Sequence, residues 1–328
     1  MRHDATLYLH FPCFDGLISG VLASDLLEQQ GWSFKRFCPV NYDLRAGWAS
    51  DRLDTPSAVV DFLYHPDAQF WADHHSTTFL SQELRLDYER RKEPWLLYDS
   101  AAGSCALLLW RNFSGWLSSK RANYQEMVDW ADKIDSANYA DVREAVFGDT
   151  PALVIHRSLI IRSDAEYCGF LIQALRNGSL GEVAKLPEVR DRSNESRALI
   201  DAGLASFRVS AHLEEGEIVF FLLDVKPNEI VSRYAPFYFF PQARYSIGLV
   251  RGDRSAKITA MRNPWIEFDS VPLGPIFERY GGGGHHRVAS VILKGERLGE
   301  AEGILRQLLS EIQRQDTAYF EPLRRALA

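Results

Sequence analysis

The 328-residue chain is poor in cysteine, lacks any apolar run of membrane-spanning length and carries no excess of positive charge. Its four cysteines, Cys13, Cys38, Cys105 and Cys168, form no Cys-x-x-Cys pair, which argues against a zinc module and fits a reducing compartment. The apolar stretches Ile218 to Leu223 and Ala235 to Phe240 fall far short of the roughly 20 residues of a membrane span, so no membrane partner is expected. Met1-Arg2-His3-Asp4 leads into a strand-like stretch rather than an apolar signal core, and the expected location is cytoplasmic. Lys and Arg number 37 against 44 Asp and Glu, a net charge of −7, which excludes a general basic field for long duplex nucleic acid. An anionic substrate must then be held by a local patch or by metal ions. No Gly-x-Ser-x-Gly elbow is found, so acyl-enzyme chemistry is not expected, and there is no internal repeat or low-complexity segment. What is there is ordinary for a globular protein: 46% hydrophobic and 25% charged residues. The length predicts two domains at roughly 100–200 residues each.

The first third alternates short β-rich runs with helical stretches, the rhythm of parallel strands joined by crossover helices. Thr6 to His10 reads as a first strand, and Leu17, Ile18, Val21, Leu22, Leu26 and Leu27 recur at helical spacing until Gly31. Ser33 to Val40, Ser57 to Val60 and Gln69 to Ala72 read as further strands, Ala101 to Trp110 and Tyr124 to Lys133 as amphipathic helices. From Asp141 to about Leu186 the pattern is mostly helical, and the charged stretch Glu188 to Glu195 marks a boundary or connecting helix. Beyond it, strands are expected at Glu217 to Asp224, Tyr245 to Arg251, Ala256 to Met261 and Val288 to Leu293, with helices at Pro272 to Tyr280 and Glu300 to Gln313. The expected architecture is α/β: an N-terminal parallel-sheet domain over 1–195, a helical linker over 196–212 and a smaller α/β domain over 213–328.

The acids and histidines fall at strand ends. His10 and Asp15 lie at and just after the end of the first strand, Asp61 ends the third, and Asp73, His74 and His75 end the fourth. In an open parallel sheet the carboxyl ends of strands converge on one crevice, so these residues become neighbours. Three carboxylates so close repel one another, and their pKa values rise unless a cation neutralises them. Oxygen and imidazole donors without a thiolate pair suit manganese, magnesium or iron better than a closed structural zinc site.

Asp73-His74-His75, with Asp61 closing an apolar strand and the run His10-Phe11-Pro12-Cys13-Phe14-Asp15-Gly16, resembles the DHH superfamily of metal-dependent phosphoesterases. Further along, Tyr280-Gly281-Gly282-Gly283-Gly284-His285-His286-Arg287 resembles the GGGH motif of the DHH-associated C-terminal domain in the RecJ-like and nano-RNase-like branch. The two motifs stand in the right order across nearly the whole chain. The resemblance implies that Asp15, Asp61 and Asp73 are metal ligands, Asp61 the bridging one, and that His74 is a ligand or acid-supplying group with His75 as its partner. It also implies an aspartate from a later helix end, for which Asp135 and Asp132 compete. His10 and Cys13 depart from the commoner pattern, in which an aspartate stands at the Cys13 position; a His-x-x-Cys-x-Asp-Gly branch matches as written.

The glycine run lets backbone approach a ligand closely and aim amides at an anion, with His285, His286 and Arg287 as charge-assisted donors. It is not a dinucleotide fingerprint, because it follows a helix and leads into a strand, and no Gly-Lys-Ser/Thr makes it a P-loop. By resemblance Arg262, Gly282, Gly283, Gly284, His285, His286 and Arg287 bind substrate, while Asp73, His74 and His75 carry the chemistry. The implied activity is a phosphodiesterase using one or two divalent ions, manganese ahead of magnesium, on short oligonucleotides, dinucleotides or 3′-phosphoadenosine 5′-phosphate. An inorganic polyphosphatase or pyrophosphatase, and a non-catalytic member that binds nucleic acid or protein, are the alternatives. The resemblance allows a monomer or a homodimer.

Overall fold

The computed structural model describes residues 3–117, 123–161, 164–215, 217–224, 226–284 and 286–327, with His3 and the residues beyond 316 as backbone alone. The chain divides into two compact units, Met1–Tyr139 with Gly148–Ser196, and Ala140–Phe147 with Arg197–Ala328.

The first unit opens with β1 (His3–His10), α1 (Phe14–Gln29), β2 (Trp32–Val40), β3 (Ser57–Val60), β4 (Phe70–Asp73), α2 (Gln82–Arg91) and β5 (Leu96–Tyr98). The five strands form one parallel sheet in the order β2-β1-β3-β4-β5. That is a doubly wound order, and its switch point lies between β1 and β3, where connections leave to opposite sides and open a crevice beyond the strand ends. The central strands are sealed on both faces: Leu7, Leu9, Ala58, Val59 and Val60 have no exposed surface. Helix α1 is buried all round from Phe14 to Leu27, which an apolar helix without a polar face requires. Its first turn lies hard against the end of β1, because a Cβ on Gly16 would stand 2.0 Å from the His10 carbonyl oxygen. Only glycine allows that approach.

Next come α3 (Cys105–Phe113), α4 (Tyr124–Asp135), α5 (Val142–Phe147), α6 (Pro151–Ser158), α7 (Ala165–Asn177) and α8 (Leu180–Val183), of which α5 belongs to the second unit. The helix expected from Ala101 begins four residues later, at Cys105. Ser104 is its N-cap, accepting the Leu107 amide, while Ala101 and Ala102 stay in the preceding turn. The helix expected to stop at Lys133 continues to Asp135, carrying that carboxylate at its end. Arg176 on α7 ties the unit together, donating to Asp25 of α1 at 2.9 Å and to Glu28.

Helix α9 (Pro187–Ser210) contains the charged stretch 188–195 and runs across the division between the units at Ser196 and Arg197. The second unit continues with β6 (Ala211–Glu214), β7 (Ile218–Asp224), α10 (Ala235–Phe239), β8 (Tyr245–Arg251), β9 (Ser255–Arg262), α11 (Leu273–Glu278), β10 (Gly283–Gly284), β11 (Val288–Lys294) and α12 (Ala301–Leu327). Its six-stranded sheet runs β10-β11-β9-β8-β7-β6, antiparallel except between β7 and β8. Ile247, Leu249, Ile258 and Ala260 of the sheet meet Ile276, Phe277, Leu305 and Leu308 of α11 and α12 in one buried cluster. No helix among the described residues is long and apolar enough to cross a membrane.

Candidate metal centre

The β1/β3 switch point collects the residues that the sequence placed at strand ends. Asp15, in the first turn of α1, is fully buried, and its two oxygens accept the amides of Cys105 and Ala106 at 2.7 and 2.8 Å. These are the first amides of α3, which have no partner inside their own helix and favour a negative charge. Asp61 follows β3 with φ at +56°, a left-handed conformation that costs a non-glycine residue roughly 1 kcal/mol and is least costly for Asn and Asp. Its Oδ2 stands 3.3 Å from His10 Nδ1. Asp73 closes β4, and its Oδ1 accepts the His74 amide and the His75 Nδ1–H, each at 2.8 Å.

His74 is the hub. Its Nδ1 lies 3.1 Å from the Ala102 carbonyl oxygen, which can only accept, so Nδ1 donates there and Nε2 is the nitrogen turned towards the acids. That Nε2 stands 3.3 Å from Asp135 Oδ2, 3.6 Å from Asp61 Oδ1 and 3.7 Å from Asp15 Oδ2. A carbonyl fixing the far nitrogen of a histidine is the usual orientation device for a metal ligand.

Three sets of donor atoms each fall within 4.8 Å of one another: Asp61, Asp73, His74 and His75; His10, Cys13 and Asp61; and Asp15, His74 and Asp135. Asp61 belongs to the first two sets and His74 to the first and third. Of the two rival aspartates, Asp135 joins a set. Asp132, one turn earlier, turns instead beneath Gly103, where a Cβ would come within 2.2 Å of its Oδ1. The thiol of Cys13 lies beside His10 and Asp61.

The electrostatics are those of an acid cluster short of positive charge. Burial, then the neighbouring charge of Asp135, lifts the Asp15 carboxyl to about 6, against the pull of His74 and the two α3 amides. Asp61 is pushed well above the carboxylate range by burial and by Asp15, Asp135 and Asp73. Burial raises the Cys13 thiol, and the carboxylates beside it raise it further. Burial lowers His10 to about 4, and the charge of His75 adds to that. Burial also opposes charge on His75, but its contact with Asp73 prevails and holds it at about 9. The same contact outweighs burial at Asp73 and keeps that carboxyl below its ordinary value.

Asp61 Oδ1 and Asp73 Oδ2 are buried and make no hydrogen bond among the described residues. Buried carboxylate oxygens without a donor, crowded by like charges, fit a divalent cation, and the oxygen and imidazole donors suit a hard or borderline ion.

Strand-end reasoning missed Asn41 and Tyr42. Tyr42 sets its ring edge-on to His10 at 5.1 Å and to His75 at 5.9 Å, and burial followed by Asp73 and Asp61 raises its hydroxyl well above the ordinary range. Both residues follow the carboxyl end of β2, so the rule that found Asp61 would have found them had it been applied to the edge strand.

In the second unit the glycine run follows α11 and leads into β10 and β11. The Gly281 and Gly282 amides cap α11 by donating to the Glu278 and Phe277 carbonyls. Gly283 and Gly284 pair with Ser290 and Ala289, and a Cβ on Gly282 or Gly284 would strike the β11 backbone at 2.5 or 2.3 Å. The glycines are thus required by the local hairpin itself. Arg262 is nearly buried; its guanidinium donates to the Asn263 and Phe268 carbonyls and covers the Phe268 ring, and burial then Arg287 lower its pKa. His286 and Arg287 are exposed, and His285 lies outside the described residues.

A five-stranded parallel sheet with an Asp/His cluster at its switch point, followed by a mixed-sheet unit with a glycine hairpin, is a fold shared with solved structures that include a DHH domain. Solved structures carry the comparison across most of the chain. A pGpG-specific phosphodiesterase, PggH from Vibrio cholerae, superposes with a TM-score of 0.65 at 18% identity, over 94% of this chain and 99% of that one. A DHH domain described as belonging to a family of ribosomal proteins gives 0.56 at 13% identity, over 94% and 86%. RecJ from Thermus thermophilus, solved with Mn2+, gives 0.55 at 13% identity over 95% of this chain and 52% of its own. No protein-family model and no curated protein matches the sequence.

Proposed function

We propose that the chain is a divalent-cation-dependent phosphodiesterase acting on short oligonucleotides and linear dinucleotides. The observation that carries this reading is the convergence of His74 Nε2 with Asp15, Asp61 and Asp135, beside buried Asp61 and Asp73 oxygens that lack a donor, an arrangement that a divalent cation would satisfy. Asp15, Asp61, Asp73, Asp135, His10 and His74 would hold one or two ions, manganese ahead of magnesium. Bound there, a divalent cation supplies a Lewis acid for the phosphoryl oxygens and an acidified water at neutral pH.

The chain's own residues divide the remaining work. The α3 amides hold Asp15 in place, and the Ala102 carbonyl orients the His74 ring so that Nε2 faces the carboxylates. His74 is a ligand in this reading rather than an acid. His75, oriented by Asp73 through Nδ1, would serve through its other nitrogen as the proton donor to the leaving oxygen. The similarity to PggH, a phosphodiesterase for the linear dinucleotide pGpG, supports a short substrate, as does the net charge of −7. Arg287 and His286, exposed beside the glycine hairpin, are the donors available for a terminal phosphate.

The test is hydrolysis by the purified protein with Mn2+ of a panel: a dinucleotide, a five-nucleotide RNA, a long single strand, 3′-phosphoadenosine 5′-phosphate, a cyclic dinucleotide and polyphosphate. Loss of the dinucleotide and the five-mer ahead of the rest is expected. Turnover of polyphosphate alone, or of nothing under any divalent ion, would overturn the proposal.

A further inference from the structure

The second unit carries an open groove of about 690 Å³ where α5 and the end of α9 meet α10 and the residues after it. The size is within the roughly 300–1,000 Å³ of small-ligand sites. The sequence accounts for its floor. Pro236 sits in the first turn of α10 and Phe237 is buried as the anchor, which leaves Tyr238, Phe239 and Phe240 half-exposed along one side. Two of these rings pack on neighbours: Phe207 of α9 stacks on Phe239 with 13° between planes, and Phe147 of α5 meets Tyr238 edge-on at 5.2 Å.

Two exposed guanidiniums flank these rings. Arg143 lies over the Tyr238 ring at 5.9 Å, and Arg208 lines the groove from the end of α9. Neither makes a hydrogen bond or an ion pair among the described residues. The nearest acids in sequence are occupied locally, Asp141 accepting the Glu144 amide and Glu144 the Ala140 amide. A row of half-exposed aromatic rings between two unneutralised arginines is complementary to a chain of bases on a phosphate backbone, since rings stack bases and guanidiniums pair with phosphates.

We infer that this groove is a stacking platform for single-stranded nucleic acid, where Tyr238 and Phe240 stack bases and Arg143 and Arg208 pair with backbone phosphates. The inference rests on the nucleic-acid reading of the substrate and adds a strand-binding surface on the second unit.

Binding is measured by fluorescence anisotropy with a labelled five-nucleotide RNA carrying phosphorothioate linkages, so that turnover does not intrude. The Arg143→Ala/Arg208→Ala variant is expected to bind at least tenfold more weakly, with a salt dependence shallower by about 0.7 per lost phosphate contact. Tyr238→Ala is expected to weaken binding roughly tenfold, and Tyr238→Trp, which keeps a stacking face, to retain it. If both alanine variants bind the RNA like wild type, or if polyphosphate displaces it as well as unlabelled RNA does, the inference is overturned. Dinucleotide hydrolysis by the same variants separates the two readings. Wild-type turnover with unchanged RNA binding in the variants sinks the groove alone, whereas absent turnover in the wild type sinks the activity and leaves the binding comparison intact.

Discussion

The carboxylate of Asp15 accepts the backbone N–H of Cys105 at 2.7 Å, so the first turn of α1 is pinned to the first turn of α3 at the centre of the acid cluster. The contact fixes one carboxylate while its neighbours repel it, and metal-free protein bears the cost. Asp61 shows that cost most plainly, being buried, crowded by three carboxylates and left-handed in backbone.

Replacing Asp61 with Asn removes the charge and keeps a side chain that tolerates the left-handed backbone. Asp61→Asn is expected to stabilise the EDTA-treated protein by about 1–2 kcal/mol in urea unfolding and to lower turnover by more than about a hundredfold. The Mn2+-induced rise in melting temperature should shrink sharply. An active variant with an unchanged Mn2+ response would remove Asp61 from the centre.

Asp135 and Asp132 sit one turn apart on α4 and make a direct comparison. Asp135→Ala deletes the oxygen 3.3 Å from His74 Nε2 and should weaken Mn2+ binding, read by calorimetry, by about a hundredfold. Asp132→Ala, beneath Gly103, should leave Mn2+ affinity within a few-fold of wild type. Reversal of that order would reassign the ligand.

Much of this centre was legible because strand ends in a parallel sheet are predictable from apolar runs alone. Val59 and Val60 lead into Asp61, and Trp71 and Ala72 lead into Asp73, so the runs place the acids before any contact is known. What holds them was not legible. The amides of Cys105 and Ala106 and the carbonyl of Ala102 are backbone groups without a side-chain signature. Helix α2 escaped notice because Gln-Glu-Leu-Arg-Leu-Asp-Tyr-Glu-Arg-Arg has no apolar stripe, and none of its residues is buried. Strand β5 has only three residues, too few for alternation to register. The assignment of α5 to the second unit was equally hidden, since helical periodicity carries no record of the core that a helix joins.

Gly16 tests the join between β1 and α1. A methyl group there would stand 2.0 Å from the His10 carbonyl oxygen and 3.2 Å from Asp61 Oδ2, so the helix or the strand end must move. Gly16→Ala is expected to cost about 2–3 kcal/mol of stability, more than the helix-propensity gain of alanine returns, and to lower Mn2+ affinity with it. A variant as stable as wild type would mean that α1 shifts freely against β1.

The Asp73–His75 pair gives the metal-free protein a pH dependence whose sign is set. His75 sits at about 9 in the folded chain against an ordinary 6.5, so the folded state binds its proton more tightly than the unfolded state does. Its stabilising contribution is complete below pH 6.5 and is lost as the pH climbs through 9. The difference of about 2.5 pH units corresponds to on the order of 3 kcal/mol. Urea midpoints in EDTA should therefore fall between pH 6.5 and 9.5 for the wild type and fall much less for His75→Gln. Parallel curves for the two proteins would show that the proton on His75 does not stabilise the fold.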